Sequence, residues 1–231
     1  GYVNAKLNIT KSQTKEDIFF YHPNYEELVN AAQNTKAYTE AFPEVKDLIR
    51  GHLPLLGEHN IENARAVFAV TRKLNIDDSD VQVAMESFKP LAHRLEEIGE
   101  VNGILFVNDS ISTTPESAIA AVNVYADRLG AIILGGEDRG YKFDALADRL
   151  SEIGDVFVYI MPGGERICES MTRHNISYIP ISTIDEAVKL AAGALSEGSV
   201  CLLSPASPSY NQFKNFEERG HAFRLAVQNL A

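Results

Sequence analysis

Cysteine is scarce: Cys168 and Cys201 are the two in 231 residues, and two thiols cannot build a disulfide scaffold. Cys201 lies inside the apolar run Val200-Cys201-Leu202-Leu203 and is expected to behave as a small buried hydrophobe. No apolar run approaches the ~20 residues that a membrane-spanning helix needs. The opening Gly1-Tyr2-Val3-Asn4-Ala5-Lys6 is not that of a signal peptide. Cations are also few, since 21 Lys and Arg against 32 Asp and Glu leave a net charge of −11. Such a chain has no excess of cations with which to displace condensed counterions from nucleic acid. A soluble, reducing, cytoplasmic protein is expected, with no membrane insertion and no nucleic-acid partner.

Several motifs are missing as well. No G-x-x-x-x-G-K-[ST] phosphate loop occurs, and no G-x-G-x-x-G follows a strand, which argues against a nicotinamide-dependent enzyme. Cys and His lack the spacing of zinc ligands, and no G-x-S-x-G nucleophile elbow is found. Nothing in the chain is recognisable as a cradle for a triphosphate.

What is present is an ordinary globular composition, 45% apolar and 23% charged. A chain of this length buries roughly 70–75% of its extended surface, enough for one or two cored domains. Residues 1–91 are irregular in texture. A short helical opening (Ala5–Ser12) leads to a strand-like run at Asp17–Tyr21, then a polar stretch to about Gly51. Helices are predicted over Asn60–Leu74, with Ala64, Val67, Phe68 and Thr71 on one face, and over about Asp78–Phe88. Residues 92–231 alternate strand and helix. Asn102-Gly103 marks a hairpin, and short apolar strands are predicted at Ile104–Val107, Ala131–Leu134, Val156–Ile160, Ser177–Ile179 and Val200–Leu203. Between and after them come helices at Pro115–Tyr125, Asp144–Ser151, Glu165–Arg173, Ile184–Leu195 and Gln212–Gln228. The expected fold class is α/β, a doubly wound and mainly parallel sheet.

Ligands of such sheets bind beyond the carboxyl ends of the strands, and three loops leave at that edge. Asn108 to Glu116 ends in Thr114 and Pro115, a helix cap and a first helical residue, either a capped helix alone or a receptor for a carboxylate or phosphate. Gly135-Gly136-Glu137-Asp138-Arg139 pairs a flexible diglycine with a guanidinium fork, but taken alone it reads better as a turn with solvated charges. Ser204 to Phe216 gathers hydroxyls at the start of the last helix. Together the loops could form a pocket for a small dicarboxylate. His59, Asn60 and Asn63 could read a base edge or cap a helix. Arg94, beside His93 at the junction of the two regions, has reason to meet a phosphate.

Gly57-Glu58-His59-Asn60 with Asn63-Ala64, Phe88 through Glu96, Asn108-Asp109-Ser110, Leu134-Gly135-Gly136, and Leu203 through Gly220 resemble the Mur ligases. The likeness covers about residues 2–227, and the last motif is the most specific. It is similar to the branch of the family that adds D-glutamate to UDP-N-acetylmuramoyl-L-alanine in peptidoglycan synthesis. The resemblance implies a Rossmann-like C-terminal domain over 92–231, preceded at 1–91 by the tail of a central ATPase domain. A chain that opens on Gly1, directly into a helix and without a phosphate loop, is then read as truncated and without turnover by itself. The implied reaction is ATP-driven amide formation in the cytoplasm by a monomer, through an acyl phosphate, with ATP and Mg²⁺. By motif position His59, Asn60, Asn63, Arg94 and Asp109 bind nucleotide, and Thr113, Arg139, Ser209, Tyr210 and Phe216 bind D-glutamate. Lys6 matches a carbamylated lysine that helps to hold Mg²⁺, and Arg94 is counted with it as catalytic. Two positions depart from the pattern: Ile111 stands where many relatives have lysine, and Arg139 where lysine is common. Another Mur ligase, a folylpolyglutamate synthetase-like ligase, or a non-catalytic amino-acid- or nucleotide-binding module are the alternatives.

Overall fold

A computed structural model describes residues 2–230. The chain divides into two compact units between Lys89 and Pro90.

The first unit opens with α1 (Tyr2–Leu7) and a 3-10 turn over Asn8–Ser12. Strand β1 (Ile18–Tyr21), helix α2 (Glu26–Asn34) and β2 (Tyr38–Ala41) follow, and the two strands pair in parallel. The polar stretch up to Gly51 therefore holds two helices, α2 and a short one at Lys46–Ile49, and a strand. Helix α2 has no fully buried residue, but its half-buried Leu28, Val29, Ala31 and Ala32 form a short apolar stripe that the asparagines among and around them obscure. Next come α3 (Lys46–Ile49), α4 (Glu58–Lys73) and α5 (Asp78–Glu86). Val45, Ile49, Ala64, Phe68, Val81 and Met85 form their common core. Val67, expected on the core face, is instead 48% exposed. On the other side of α4 the Arg65 side chain is 1% exposed and ion-pairs with Glu44 and Glu62. Glu62 also holds Lys46 at 2.8 Å and His22 at 2.9 Å. Burial pushes the Glu62 carboxyl up, but its bonds from Lys46, Arg65 and His22 outweigh that and bring it down to about 2.

The second unit is the doubly wound domain. Strands β3 (Glu96–Val101) and β4 (Ile104–Asn108) form an antiparallel hairpin through Asn102 and Gly103, both at positive φ. Both turn residues are left-handed, as a two-residue turn between right-twisted strands requires. Helix α6 (Pro115–Val124), β5 (Leu129–Leu134), α7 (Asp144–Ile153), β6 (Phe157–Ile160), α8 (Glu165–Arg173), β7 (Tyr178–Pro180), α9 (Ile184–Ala194), β8 (Val200–Leu203) and α10 (Phe216–Gln228) complete the unit. The strand order is β3-β4-β8-β5-β6-β7, and every pairing except β3 with β4 is parallel. Alternate residues of the central strands point to opposite faces. Leu105, Val107, Ile132, Leu134 and Leu202 pack on α6, α7 and α8. Phe106, Ala131, Ile133, Cys201 and Leu203 pack on α9 and α10. Strand β8 is inserted between β4 and β5, so the chain changes direction there, and a ligand crevice is expected at the carboxyl ends of these strands.

Helix α10 starts at Phe216, four residues later than the periodicity predicts. The Asn215 side chain accepts from the Glu218 amide at 2.9 Å, and this cap fixes the start. The residues before it remain irregular and lie against the sheet edge.

Candidate functional site

At the switch point the three loops interlock through their backbones. Gly135 N donates to Pro205 O at 2.9 Å, Glu137 N to Pro208 O at 2.7 Å, and Ala206 N to Ser112 O at 3.1 Å. A Cβ on Gly136 would overlap Pro208 O, so the diglycine serves close loop packing here. Asn108, Asp109, Ser110, Ser112, Ser204, Ser207 and Ser209 are all buried, a dense polar layer over an apolar sheet.

Asp109, at the end of β4, is 2% exposed. It accepts from Ser204 Oγ at 2.7 Å and from the Leu95 amide at 3.2 Å. Burial raises its carboxyl above the ordinary value, and bonds from Ser112 and Ser204, the Leu95 amide and the charge of Arg94 oppose that rise. Arg94 sits one residue before the Leu95 amide. Its Nε is buried and has no hydrogen-bond acceptor among the described residues, and a buried donor without a partner costs stability. A ligand oxygen would satisfy it. His93 is buried with φ +65°, and Asn108 Nδ2 donates to its Nδ1 at 2.9 Å, which leaves the ring proton on Nε2. Burial lowers the His93 pKa, opposed by Glu96 and reinforced by His221 and Arg224, so the ring is neutral at neutral pH.

The residues matched to the glutamate pocket lie along this same edge. Thr113 is half-buried just before the α6 cap, where Thr114 Oγ1 accepts from the Ser117 amide. Ser209 is buried and Tyr210 is 64% exposed beside it. The Phe216 ring, the first residue of α10, meets His93 edge-on at 6.2 Å. Arg139 is exposed, and its fork is already engaged: Nε and Nη2 reach Glu137 Oε2 at 2.9 and 2.6 Å. The sequence offers this fork for a ligand carboxylate, whereas in the ligand-free chain a neighbouring side chain fills it. Both helix termini are likewise capped from within, which leaves fewer free amides than the loop composition suggests.

The remaining matched residues belong to the first unit. Lys6 is exposed on α1. His59, Asn60 and Asn63 lie in the first turns of α4. Asn60 is buried and donates to Leu56 O at 2.7 Å, while Asn63 is exposed. Both asparagines line a groove of about 390 Å³ whose walls include Leu53, Leu55, Val67, Ile76, Met85 and Phe88. Apolar walls with carboxamides among them suit a flat heteroaromatic base. Among the described residues no cluster of three or more His, Cys, Asp or Glu could hold a metal ion, and no helix is long and apolar enough to cross a membrane.

Three participants lie inside the quoted motifs without having been given a role there. Asn108 and Ser204 are the partners that orient His93 and Asp109. Arg219 is fully buried beneath the three loops. Its signal was an arginine on the apolar stripe that Phe223 and Val227 continue on α10.

Residues 93–207 match the family model for the Mur ligase, glutamate ligase domain. A UDP-N-acetylmuramoyl-L-alanine–L-glutamate ligase of Salinispora tropica is 37% identical over 79% of this chain and 42% of its own length. A UDP-N-acetylmuramoylalanine–D-glutamate ligase of Geobacillus sp. is 31% identical over the whole chain and 55% of its own length. The crystal structure of a MurF ligase from Thermotoga maritima in complex with ADP superposes with a TM-score of 0.64 at 19% identity, over 99% of this chain and 58% of that one. The chain spans about half the length of the relatives it matches. With its doubly wound sheet and its loop motifs, the chain belongs to the Mur ligase family and carries that family's C-terminal, glutamate ligase domain.

Proposed function

We propose that the chain is the C-terminal portion of an ATP-dependent, ADP-forming amide ligase that adds D-glutamate to UDP-N-acetylmuramoyl-L-alanine in peptidoglycan precursor synthesis. The observation that carries this reading is the meeting of three loops at one switch point. There a buried Asp109 and the unsatisfied Arg94 Nε lie on the same sheet edge as Thr113, Arg139, Ser209 and Phe216. In this reading residues 1–91 are the tail of the central ATPase domain and 92–231 the C-terminal domain.

A carboxylate is a poor electrophile because its charge repels a nucleophile. Transfer of the γ-phosphoryl group of ATP to the L-alanyl carboxylate gives an acyl phosphate, which the amine of glutamate attacks with loss of phosphate. The protein's part is to position the reactants and to offset charge as it develops. Asn60 and Asn63 would meet the adenine in the groove of the first unit, with His59 on the same turn. Asp109 would hold the nucleotide together with Arg94, whose Nε is ready for an anionic oxygen. Arg139 would exchange Glu137 for the side-chain carboxylate of glutamate. Ile111 offers no cation, so in this chain Arg94 and Arg139 supply the positive charge. Lys6, carbamylated in the longer enzyme, would contribute one anionic ligand to Mg²⁺. The described acidic residues build no metal site around it. Without a phosphate loop this chain alone is proposed to be without turnover.

A second reading exchanges the amino-acid isomer. It is favoured by the Salinispora tropica relative, which is named for L-glutamate and is 37% identical over 79% of this chain. Titration of the isotope-labelled chain with each enantiomer separates the two. Selective amide shifts near Thr113, Arg139 and Ser209 with D-glutamate support the first reading, and selective shifts with L-glutamate support the second. The absence of shifts with either removes these residues from an acceptor site of this chain.

A further inference from the structure

Arg219 is the most deeply buried charge of the second unit, with no measurable exposure. Among the described residues no carboxylate lies within ion-pair distance of it, although guanidinium groups in protein interiors are usually paired. Its partners are neutral and spread over all three loops. Nε donates to Ser110 Oγ at 3.0 Å and Nη2 to Ser110 O at 2.8 Å, on the loop after β4. Nη1 donates to Ser207 O at 2.9 Å, on the loop after β8, and more weakly to Gly135 O at 3.4 Å, on the loop after β5. Ser110 Oγ passes the connection on by donating to Phe216 O at 2.8 Å, the first residue of the helix that carries Arg219. One planar group thus ties the three loops to one helix from behind.

An apolar side chain would fill this position at far lower desolvation cost if filling were its only task. Phe223, one turn later on the same stripe, does that. A lysine has donors on a single nitrogen and cannot span carbonyls on opposite sides of the site, whereas the guanidinium fork can. Burial draws Arg219 down to about 10, so it keeps its charge at neutral pH. Among the described residues, its contacts with neutral oxygens are all that offset its burial.

We propose that Arg219 is the positioning residue of the acceptor site: without touching the ligand, it sets the spacing of the loops that carry Thr113, Arg139 and Ser209. The inference rests on the glutamate reading for the identity of the ligand, but the latch itself is a property of the ligand-free chain. It acts through the carbonyls and hydroxyl named above, and the cross-loop amides of Gly135, Glu137 and Ala206 depend on it.

The test is amide hydrogen exchange on the ligand-free chain, followed by titration with D- and L-glutamate, for the wild type, Arg219→Lys and Ser110→Ala. Leu105 N and Val200 N, which donate to Ser199 O and Arg128 O away from the loops, report the integrity of the sheet. In Arg219→Lys the amides of Gly135, Glu137 and Ala206 should exchange roughly tenfold faster while the sheet amides keep their protection. Glutamate affinity should fall by roughly tenfold, and the ratio of affinities for the two enantiomers should move towards one, which a general loss of stability would not cause. Should the lysine variant not fold, Ser110→Ala keeps the charge and removes the Ser110 hydroxyl, and it should show the same pattern more weakly. Unchanged loop exchange in a folded variant overturns the latch. Faster loop exchange in a variant of a chain that binds neither enantiomer supports the latch and overturns the glutamate reading instead.

Discussion

Gly220 leaves one side of α10 bare, and the imidazole of His93 lies directly against the helix there. A Cβ at position 220 would overlap the ring at Nδ1, Cε1 and Cγ. Asn108 joins the two by donating both to His93 Nδ1 at 2.9 Å and to Gly220 O at 3.2 Å. The glycine is required by a neighbour's ring and not by its own backbone, which is helical.

Gly220→Ala should therefore destabilise the second unit by about 2–3 kcal/mol, because a buried ring in left-handed backbone has little room to retreat. Denaturant unfolding should show a lower midpoint with an unchanged slope.

Asp109→Asn should stabilise the ligand-free chain at neutral pH. Burial raises the folded-state pKa of Asp109 above 3.8, so its ionisation in the folded protein is penalised and stability falls as pH rises through that shift. Asparagine keeps the bond from the Leu95 amide, and the Ser204 hydroxyl can rotate to accept. Melting curves should show the gain at pH 7 and its disappearance in acid, where Asp109 is protonated. In the proposed full-length enzyme the same variant should bind ATP more weakly.

The first unit should be acid-labile through Glu62. Its carboxyl is drawn from 4.5 to about 2 in the folded state, so the contribution is complete above pH 4.5 and is lost as pH falls towards 2. Lys46, Arg65 and His22 bond to it, and all three favour the charged form. Glu62→Gln should unfold more readily at pH 7 and show a flatter dependence between pH 5 and 2, read by urea titration at each pH.

The thiols should react unequally. Cys201 is fully buried, and burial pushes its thiol up to about 12, whereas Cys168 is half-buried with a smaller rise from the same cause. A thiol-specific chromophore should label Cys168 slowly in the native chain, and Cys201 on unfolding. Rapid native labelling of Cys201 would contradict the central place of β8.

Glu137→Gln should tighten glutamate binding by about two- to fivefold, since an exposed ion pair holds Arg139 by no more than about 1 kcal/mol. Arg139→Ala should weaken glutamate binding. Calorimetric titration of both variants checks that Glu137 and the ligand compete for one fork.

Legibility differed sharply along the chain. Strands β4, β5 and β8 could be read because they are buried on both faces and therefore run continuously apolar. Thr114 and Pro115 announced α6 by local chemistry alone. Helix α2 was missed although Leu28, Val29, Ala31 and Ala32 mark a short stripe, because Asn30, Asn34 and the polar residues around them read as a loop. The site was legible as loops and motif residues but not as geometry. No local pattern says that Glu137 fills the Arg139 fork, or that the Arg94 Nε is left without an acceptor.

What the sequence by itself determined follows from short-range physics: the alternation of strand and helix, the hairpin at Asn102-Gly103, the caps, and the motifs that carry the family likeness. The tertiary structure decided what depends on distant partners. It inserted β8 between β4 and β5, and so drew three loops from widely separated segments to one edge. It gave Asp109 its neighbours across 95 residues and Arg219 its acceptors across 109. Periodicity and capping are settled within a turn or two of chain, whereas burial of charge and loop spacing are settled only when the sheet closes around them.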